Sequence, residues 1–240
     1  MDNTYDKLYY GRGDFIGGVD ESGVIDIAGP LVAACVILPK IDIHKTDLRI
    51  FEVSDSKATP EKYRKQHAER VWQIATAIGV GEVSPNEIDY LGKRTASKLA
   101  MCRAVAACQT LETKKNITPD LLIIDGNQRI DCDIPQEVVV KADTKSLAVA
   151  CSSIVAKVYR DNIMVQLHYR FPYYNWISNK GFPCEDQYMG LDKVGVIAGV
   201  HRTRCWPFIH SPKSEKSATF LERRRLWKRQ TELRLTRELK

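Results

Sequence analysis

No Cys-x-x-Cys pair occurs in this chain, although it holds seven cysteines: Cys35, Cys102, Cys108, Cys132, Cys151, Cys184 and Cys205. Without that spacing a zinc site is not expected, and an odd, unpatterned set argues against a disulfide framework. Several of the seven lie in apolar runs, where cysteine acts as a small hydrophobe. Such usage fits a reducing compartment, so a cytoplasmic protein is expected. Also missing is any apolar run of about 18 residues, so no membrane span is expected. The opening stretch Met1-Asp2-Asn3-Thr4-Tyr5-Asp6 is polar and acidic, unlike a signal or transit peptide. Internal repeats and low-complexity blocks are absent as well.

What is present is the balance of an ordinary soluble globule: 240 residues, 44% hydrophobic and 28% charged. That length suits one large domain, or one domain with an appendage, and can bury a substantial core. The net charge of +6 is unevenly placed. Residues 221–240 hold eight Lys or Arg against three Glu, leaving the body nearly neutral. A polyanion is the expected partner, nucleic acid first.

Phe15–Asp20 and Leu31–Leu38 read as strands joined through a turn containing Gly and Pro. Asp55-Ser56-Lys57 leads to a helix start at Thr59-Pro60-Glu61, with Thr59 as N-cap, and this helix is expected to reach Gln73–Ala77. Ile78–Val83 is a short strand, and Ser84-Pro85-Asn86-Glu87 opens a further helix. Thr95–Leu111 is predicted helical, with Leu99, Cys102, Val105, Ala106 and Leu111 on its apolar stripe. Leu121–Ile124 is wholly apolar, the mark of a strand covered on both faces, and Val138–Val140 is the next strand. Ser146–Tyr169 is a long helix, Phe171–Trp176 an irregular aromatic stretch, and Glu185–Val194 a short helix. A polar linker at 210–219 precedes a basic helix over 220–240. A strand pair followed by strands alternating with helices predicts an α/β fold with a sheet of mixed direction.

Asp20 and Glu21 end the first of these strands, and the chain then turns at Ser22-Gly23. On a continuing strand the two acids point to opposite faces; a break straight after them lets both reach one ion. Asp125 and Asp143 likewise follow apolar strands, where sites gather in open α/β sheets. Carboxylates converging there repel one another unless cations neutralise them. Two hard divalent ions, Mg²⁺ or Mn²⁺, meet that need with oxygen ligands and retained waters, and such a pair can activate water against a phosphodiester. The plainer readings are a solvated strand end for the acidic pair and a turn residue for Asp125 in Asp125-Gly126-Asn127.

Gly18-Val19-Asp20-Glu21-Ser22-Gly23, with Ala28-Gly29-Pro30 following, resembles the opening of type 2 ribonuclease H, the ribonuclease HII family. Further blocks match in order: Asp55-Ser56-Lys57, Ile124-Asp125-Gly126-Asn127, Lys141-Ala142-Asp143, Ala156-Lys157-Val158-x-Arg160-Asp161, and more loosely Asn179-Lys180-Gly181-Phe182 and His201-Arg202. The match covers about residues 15–208. It implies an RNase H-like fold with a mixed five-stranded sheet flanked by helices and a C-terminal helical extension. It also implies a two-metal endoribonuclease that cuts RNA in RNA/DNA hybrids or DNA-containing duplexes, leaving 5′-phosphate and 3′-hydroxyl ends. By position the family's four metal-binding, catalytic acids fall on Asp20, Glu21, Asp125 and Asp143. Residues 1–14 then form an N-terminal segment, 15–170 the catalytic core and 171–209 a substrate-contacting region. A monomer is expected.

The departures bear on substrate. The family carries Gly-Arg-Gly after the acidic pair, to recognise the ribonucleotide next to DNA; here the residues are Gly23-Val24-Ile25. The Gly-Arg-Gly at Gly11–Gly13 precedes the first strand and reads as a turn. The family's tyrosine after Lys-Gly appears as Phe182, which keeps a stacking ring and loses a hydroxyl donor. Its Ser-Phe after His-Arg appears as Arg204-Cys205. Sensing a 2′-OH needs hydrogen-bonding groups in close approach, so weakened recognition of a single embedded ribonucleotide is expected.

Gly23, Val24, Ile25, Lys157, Lys180, Phe182 and Arg202 are the candidate nucleic-acid contacts. Asp161 reads as a structural partner of Arg160 or a nearby lysine, Ser152 and Ser153 as packing residues, and His201 as a structural histidine. Tyr173, Tyr174 and Trp176 read as packing, because a duplex keeps its bases stacked. The basic C-terminal helix either docks on the fold or holds duplex phosphates. Two other functions stay open: a hybrid-binding module without turnover, and a two-metal nuclease acting on another nucleic acid.

Overall fold

The computed structural model describes residues 4–9, 11–40 and 60–204. The Asp55-Ser56-Lys57 block, the expected Thr59 cap, Cys205, the 210–219 linker and the 220–240 helix lie outside the described residues. The chain divides into two compact units. One comprises residues 1–24, 30–83 and 93–161; the other comprises 25–29, 84–92 and 162–240.

The first unit is built on a sheet whose apolar runs become strands β1 (Ile16–Ser22), β2 (Leu31–Ile37), β3 (Ala77–Val83), β4 (Gln109–Thr110), β5 (Leu121–Asp125) and β6 (Gln136–Val139). Their order is β4-β3-β2-β1-β5-β6. β1 pairs antiparallel with β2 and parallel with β5, which pairs parallel with β6. The sheet is mixed, as expected, with six strands where five were expected. The additional β4 is a two-residue edge that pairs with Ala77 and Ile78, too short to leave a periodic signal. β1 also runs further than expected. Its ladder with β2 continues through Asp20, Glu21 and Ser22, so the break falls after Ser22.

Helix α1 (Thr4–Lys7) lies before the sheet, α2 (Glu61–Ile74) starts after Pro60, and α4 (Lys93–Ala106) and α5 (Leu147–Arg170) follow β3 and β6. The buried residues of α4 are Ala96, Ala100, Met101, Ala104 and Val105, so of the expected stripe only Val105 is buried in the helix. The cause lies in β3. A Cβ on Gly79 would meet Ala104 O at 2.1 Å, and one on Gly81 would meet Ala100 O at 2.2 Å. The helix therefore rests its backbone on a glycine strip, and only small residues fit the contact. α4 also stops short of Leu111. Cys108 and Thr110 accept and donate across a loop (Ile117 N–H to Cys108 O, Thr110 N–H to Lys115 O), and these loop bonds replace helical ones.

α5 begins on an acidic clamp. Buried Asp6 accepts from Ser146 Oγ at 2.6 Å and from Leu147 N at 2.8 Å, placing a carboxylate at a helix N-terminus. Burial pushes this carboxyl up from its usual range, while the bonds to Ser146, Leu147 and Ala148 pull it down.

The second unit has its own core of Ile27, Ala28, Met164, Tyr174, Trp176, Tyr188 and Leu191. α3 (Pro85–Leu91) opens on a capping box in which Ser84 and Glu87 exchange hydrogen bonds. A short α6 (Trp176–Asn179) and α7 (Glu185–Val194) follow, α7 with the bounds expected from sequence. Tyr174 stacks on Trp176 at 4.6 Å between ring centres, and Trp176 Nε1 donates to Gln187 Oε1. The expectation that these two aromatics serve packing holds: both are buried.

Candidate active site

Parallel pairing sets the site. Val19 lies beside Ile124 and Asp125 beside Val139, so β1, β5 and β6 end at one edge with Asp20-Glu21 on the first and Asp125 on the second. Asp20 is buried. Burial pushes its carboxyl well above the ordinary carboxylate range; repulsion by Glu21 and Asp125 adds to this, and a hydrogen bond with Ser153 opposes it. Its Oδ1 also accepts from the Glu21 N–H at 2.7 Å. Asp125 Oδ1 accepts from the Ala142 N–H at 2.7 Å, which fixes the turn after β6. Asp143, the next residue, is half-buried in the 3₁₀ turn Ala142–Thr144. The left-handed Lys141 (φ 57°) reverses the chain into that turn.

Asp20 thus has Glu21 and Asp125 as charged neighbours, and the hydrogen bond that Asp125 accepts from the Ala142 N–H ties the adjacent Asp143 to the same edge. Among the described residues no three His, Cys, Asp or Glu stand close enough together to enclose an ion. The donor chemistry nevertheless suits a hard divalent cation: the acids supply oxygen ligands only, and buried Asp20 is raised partly by two further carboxylates whose repulsion a cation would relieve.

Glu21 and Asp125 also line a cleft of about 160 Å³ in the first unit. Its other wall is the start of α4, which contributes Lys93, Arg94, Ser97 and Lys98. Val24 lines it too, half-buried. Gly23 has φ 97°, and a Cβ there would meet Arg160 Nε at 2.2 Å. Arg160 is itself buried and donates from Nε to Pro30 O at 2.9 Å. A buried arginine therefore holds the loop that follows the acidic pair. Lys157 on the same helix is paired with Asp161 at 2.7 Å, the structural role expected for Asp161.

The remaining candidate contacts belong to the second unit. Ile25 is 59% exposed and Phe182 48% exposed, so both present apolar surface. Lys180 is buried instead, its Nζ donating to Ile177 O at 2.5 Å. Arg202 is fully buried; its backbone N–H donates to Ile27 O and its Nε to Gly29 O, both at 2.9 Å. His201 is buried against the ring of Tyr174 and accepts from the Ile197 N–H at Nδ1, the structural role expected of it. As placed, Lys180 and Arg202 fasten the fold, and neither ammonium nor guanidinium faces outward.

Three groups at the site go beyond what the sequence alone indicates. Ser153 is expected to pack, yet it hydrogen-bonds Asp20; one hydroxyl on an apolar helix carries no signal of that. Arg160 reads from sequence only as a possible partner of Asp161. The cations of α4 do leave a signal: Lys93 and Arg94 open a helix whose first turn has no acid.

A profile of the family described as Ribonuclease HII matches residues 17–205. The ribonuclease HII of Caldanaerobacter subterraneus subsp. tengcongensis is 40% identical over 199 residues, which are 82% of this chain and 77% of that protein. Among solved structures, ribonuclease H2 from Pyrococcus horikoshii OT3 superposes with a TM-score of 0.62 at 22% identity, covering 80% of this chain and 93% of that one. Bst-RNase HIII in complex with Mn²⁺ superposes with a TM-score of 0.56 at 17% identity, covering 81% and 68%. The two structures agree on the fold, and the profile spans the β1, β5 and β6 edge with Asp20, Glu21, Asp125 and Asp143; the chain belongs to the ribonuclease HII family.

Proposed function

We propose that this chain is a divalent-metal-dependent endoribonuclease that cleaves RNA within RNA/DNA hybrids or DNA-containing duplexes and leaves 5′-phosphate and 3′-hydroxyl ends. The observation that supports the reading is the shared edge of three parallel-paired strands, along which Asp20, Glu21 and Asp125 lie, with Asp143 next to the Ala142 N–H that bonds Asp125. These four residues would hold two Mg²⁺ or Mn²⁺ ions, and the Mn²⁺ bound by Bst-RNase HIII supports that choice. When bound, such a pair supplies activation of the attacking water and stabilises charge on the phosphate and the leaving oxygen.

The protein's own part is placement. Asp20 is held by the Glu21 N–H and Ser153, and Asp125 by the Ala142 N–H, so neither carboxylate has to be ordered when substrate arrives. No side-chain nucleophile is required. Phe182 presents an exposed ring for stacking on a sugar. Val24 and Ile25 put aliphatic side chains where the family's loop has arginine and glycine, which supports weakened recognition of a lone ribonucleotide. A monomer acting in the cytoplasm completes the reading, in keeping with the unpatterned free cysteines.

Cleavage assays with Mg²⁺ and with Mn²⁺ test it, using a long RNA/DNA hybrid, a DNA duplex carrying one ribonucleotide, and DNA alone. The hybrid is expected to be cut, and Asp125→Asn, which keeps the oxygen that accepts from Ala142, is expected to lower the rate by at least about 10²-fold. Binding without cutting, or cutting of DNA alone, would refute the reading. Efficient cleavage 5′ of the lone ribonucleotide would refute its substrate clause.

A further inference from the structure

We infer that the α4 wall of the cleft is a phosphodiester-binding site, in which Lys93, Arg94 and Lys98 hold the backbone of the nucleic acid beside the carboxylate edge. The inference rests on the nuclease reading above and adds the residues that position its substrate. One cleft carries opposite charges on its two walls, Glu21 and Asp125 on one side and the three cations on the other. Arg94 and Lys98 form no side-chain ion pair or hydrogen bond with any described residue. Among the described residues, nothing therefore explains these two as structural partners.

Local physics would choose other residues here. Arg94 and Lys98 lie one turn apart on one helix face, where like charges repel. They sit near a helix start, where the dipole favours acids, and that first turn contains none. Two locally unfavourable choices, with no bonded side-chain partner among the described residues, mark a place where an external anion completes the arrangement. A phosphodiester fits its charge and chemistry: the cations meet its oxygens, which fixes position without reading sequence. Ser97, between the two, adds a hydroxyl donor to the same wall. The neighbouring phosphate is thereby presented to the carboxylate edge, so these are positioning residues.

Fluorescence anisotropy with an RNA/DNA hybrid tests this on the full chain carrying Asp125→Asn, so that binding is read without cleavage. Neutralising Arg94→Gln with Lys98→Gln is expected to weaken binding by about tenfold or more and to lower the log–log salt slope by roughly 2. The control pair Lys114→Gln with Lys115→Gln removes the same charge from an exposed loop and should change neither. Arg94→Lys with Lys98→Arg should restore most of the affinity, which a purely steric role would not. Unchanged affinity and slope, or a loss shared equally by the control pair, would overturn the inference. Hybrid cleavage by the unsubstituted chain, run in parallel, decides the nuclease reading separately: its absence refutes that reading and leaves the binding result standing. In the cleaving chain, KM should rise and kcat should hold.

Discussion

His201 offers a test in which the structure sets the magnitude. Only 2% of its surface is exposed, it lies edge-on to Tyr174 and close to Trp176, and burial lowers its imidazole to about 4 from 6.5. A base whose pKa is depressed by folding binds its proton more readily in the unfolded chain. The neutral ring therefore contributes full stability above about pH 6.5, and that contribution is lost as pH falls through about 4. At pH 5 the unfolded chain is almost wholly protonated at this position and the folded one is not, a difference of about 2 kcal/mol. Urea unfolding at about pH 7.5 and pH 5, on the full chain and on His201→Phe, isolates the effect because the other titrating groups cancel. The wild type should lose about 2 kcal/mol more than the variant over that interval. Equal losses in the two proteins would mean that the ring is reached by water or rearranges on protonation, and would refute the reasoning.

Two further outcomes follow from the packing and the loop. Gly81→Ala places a Cβ 2.2 Å from Ala100 O and 2.4 Å from Ala104 N, both helix backbone, so α4 must shift; chemical denaturation should show a loss of about 1–3 kcal/mol, and wild-type stability would refute close contact. Val24→Arg with Ile25→Gly rebuilds the family's Gly-Arg-Gly after Glu21 and should raise cleavage 5′ of a single ribonucleotide about tenfold relative to hybrid; an unchanged ratio would show that the loop is not what limits recognition.

Much of the sheet was legible because apolar runs are long-range in their effect and local in their signature. Leu121–Ile124 could be read as a central strand from composition, and it is buried on every residue. The acids were legible because each follows such a run. What escaped was set by partners far along the chain. The true length of β1 depends on the bonding of Glu21 and Ser22 opposite Ala33 and Val32. The buried face of α4 depends on two glycines in β3, and nothing within the helix says that Ala100 outranks Leu99. Lys180 reads as an open loop cation, yet a left-handed backbone at φ 51° follows α6 and the ammonium turns back onto Ile177 O. Periodicity cannot carry that.

The clamp between Asp6 and the start of α5 has a consequence for how the protein is made. The two bonded partners are separated by 140 residues of chain. On a ribosome, Asp6 leaves the exit tunnel before any strand of the sheet and then waits while the sheet is synthesised. β1 is in the same position, since its parallel neighbour β5 begins only at Leu121. Contacts of such long sequence separation close late. The nascent chain thus carries its first two acids on a strand with an open edge until translation has passed Asp125 and then Asp143. The order of synthesis keeps the carboxylate edge incomplete until Asp143 has been added.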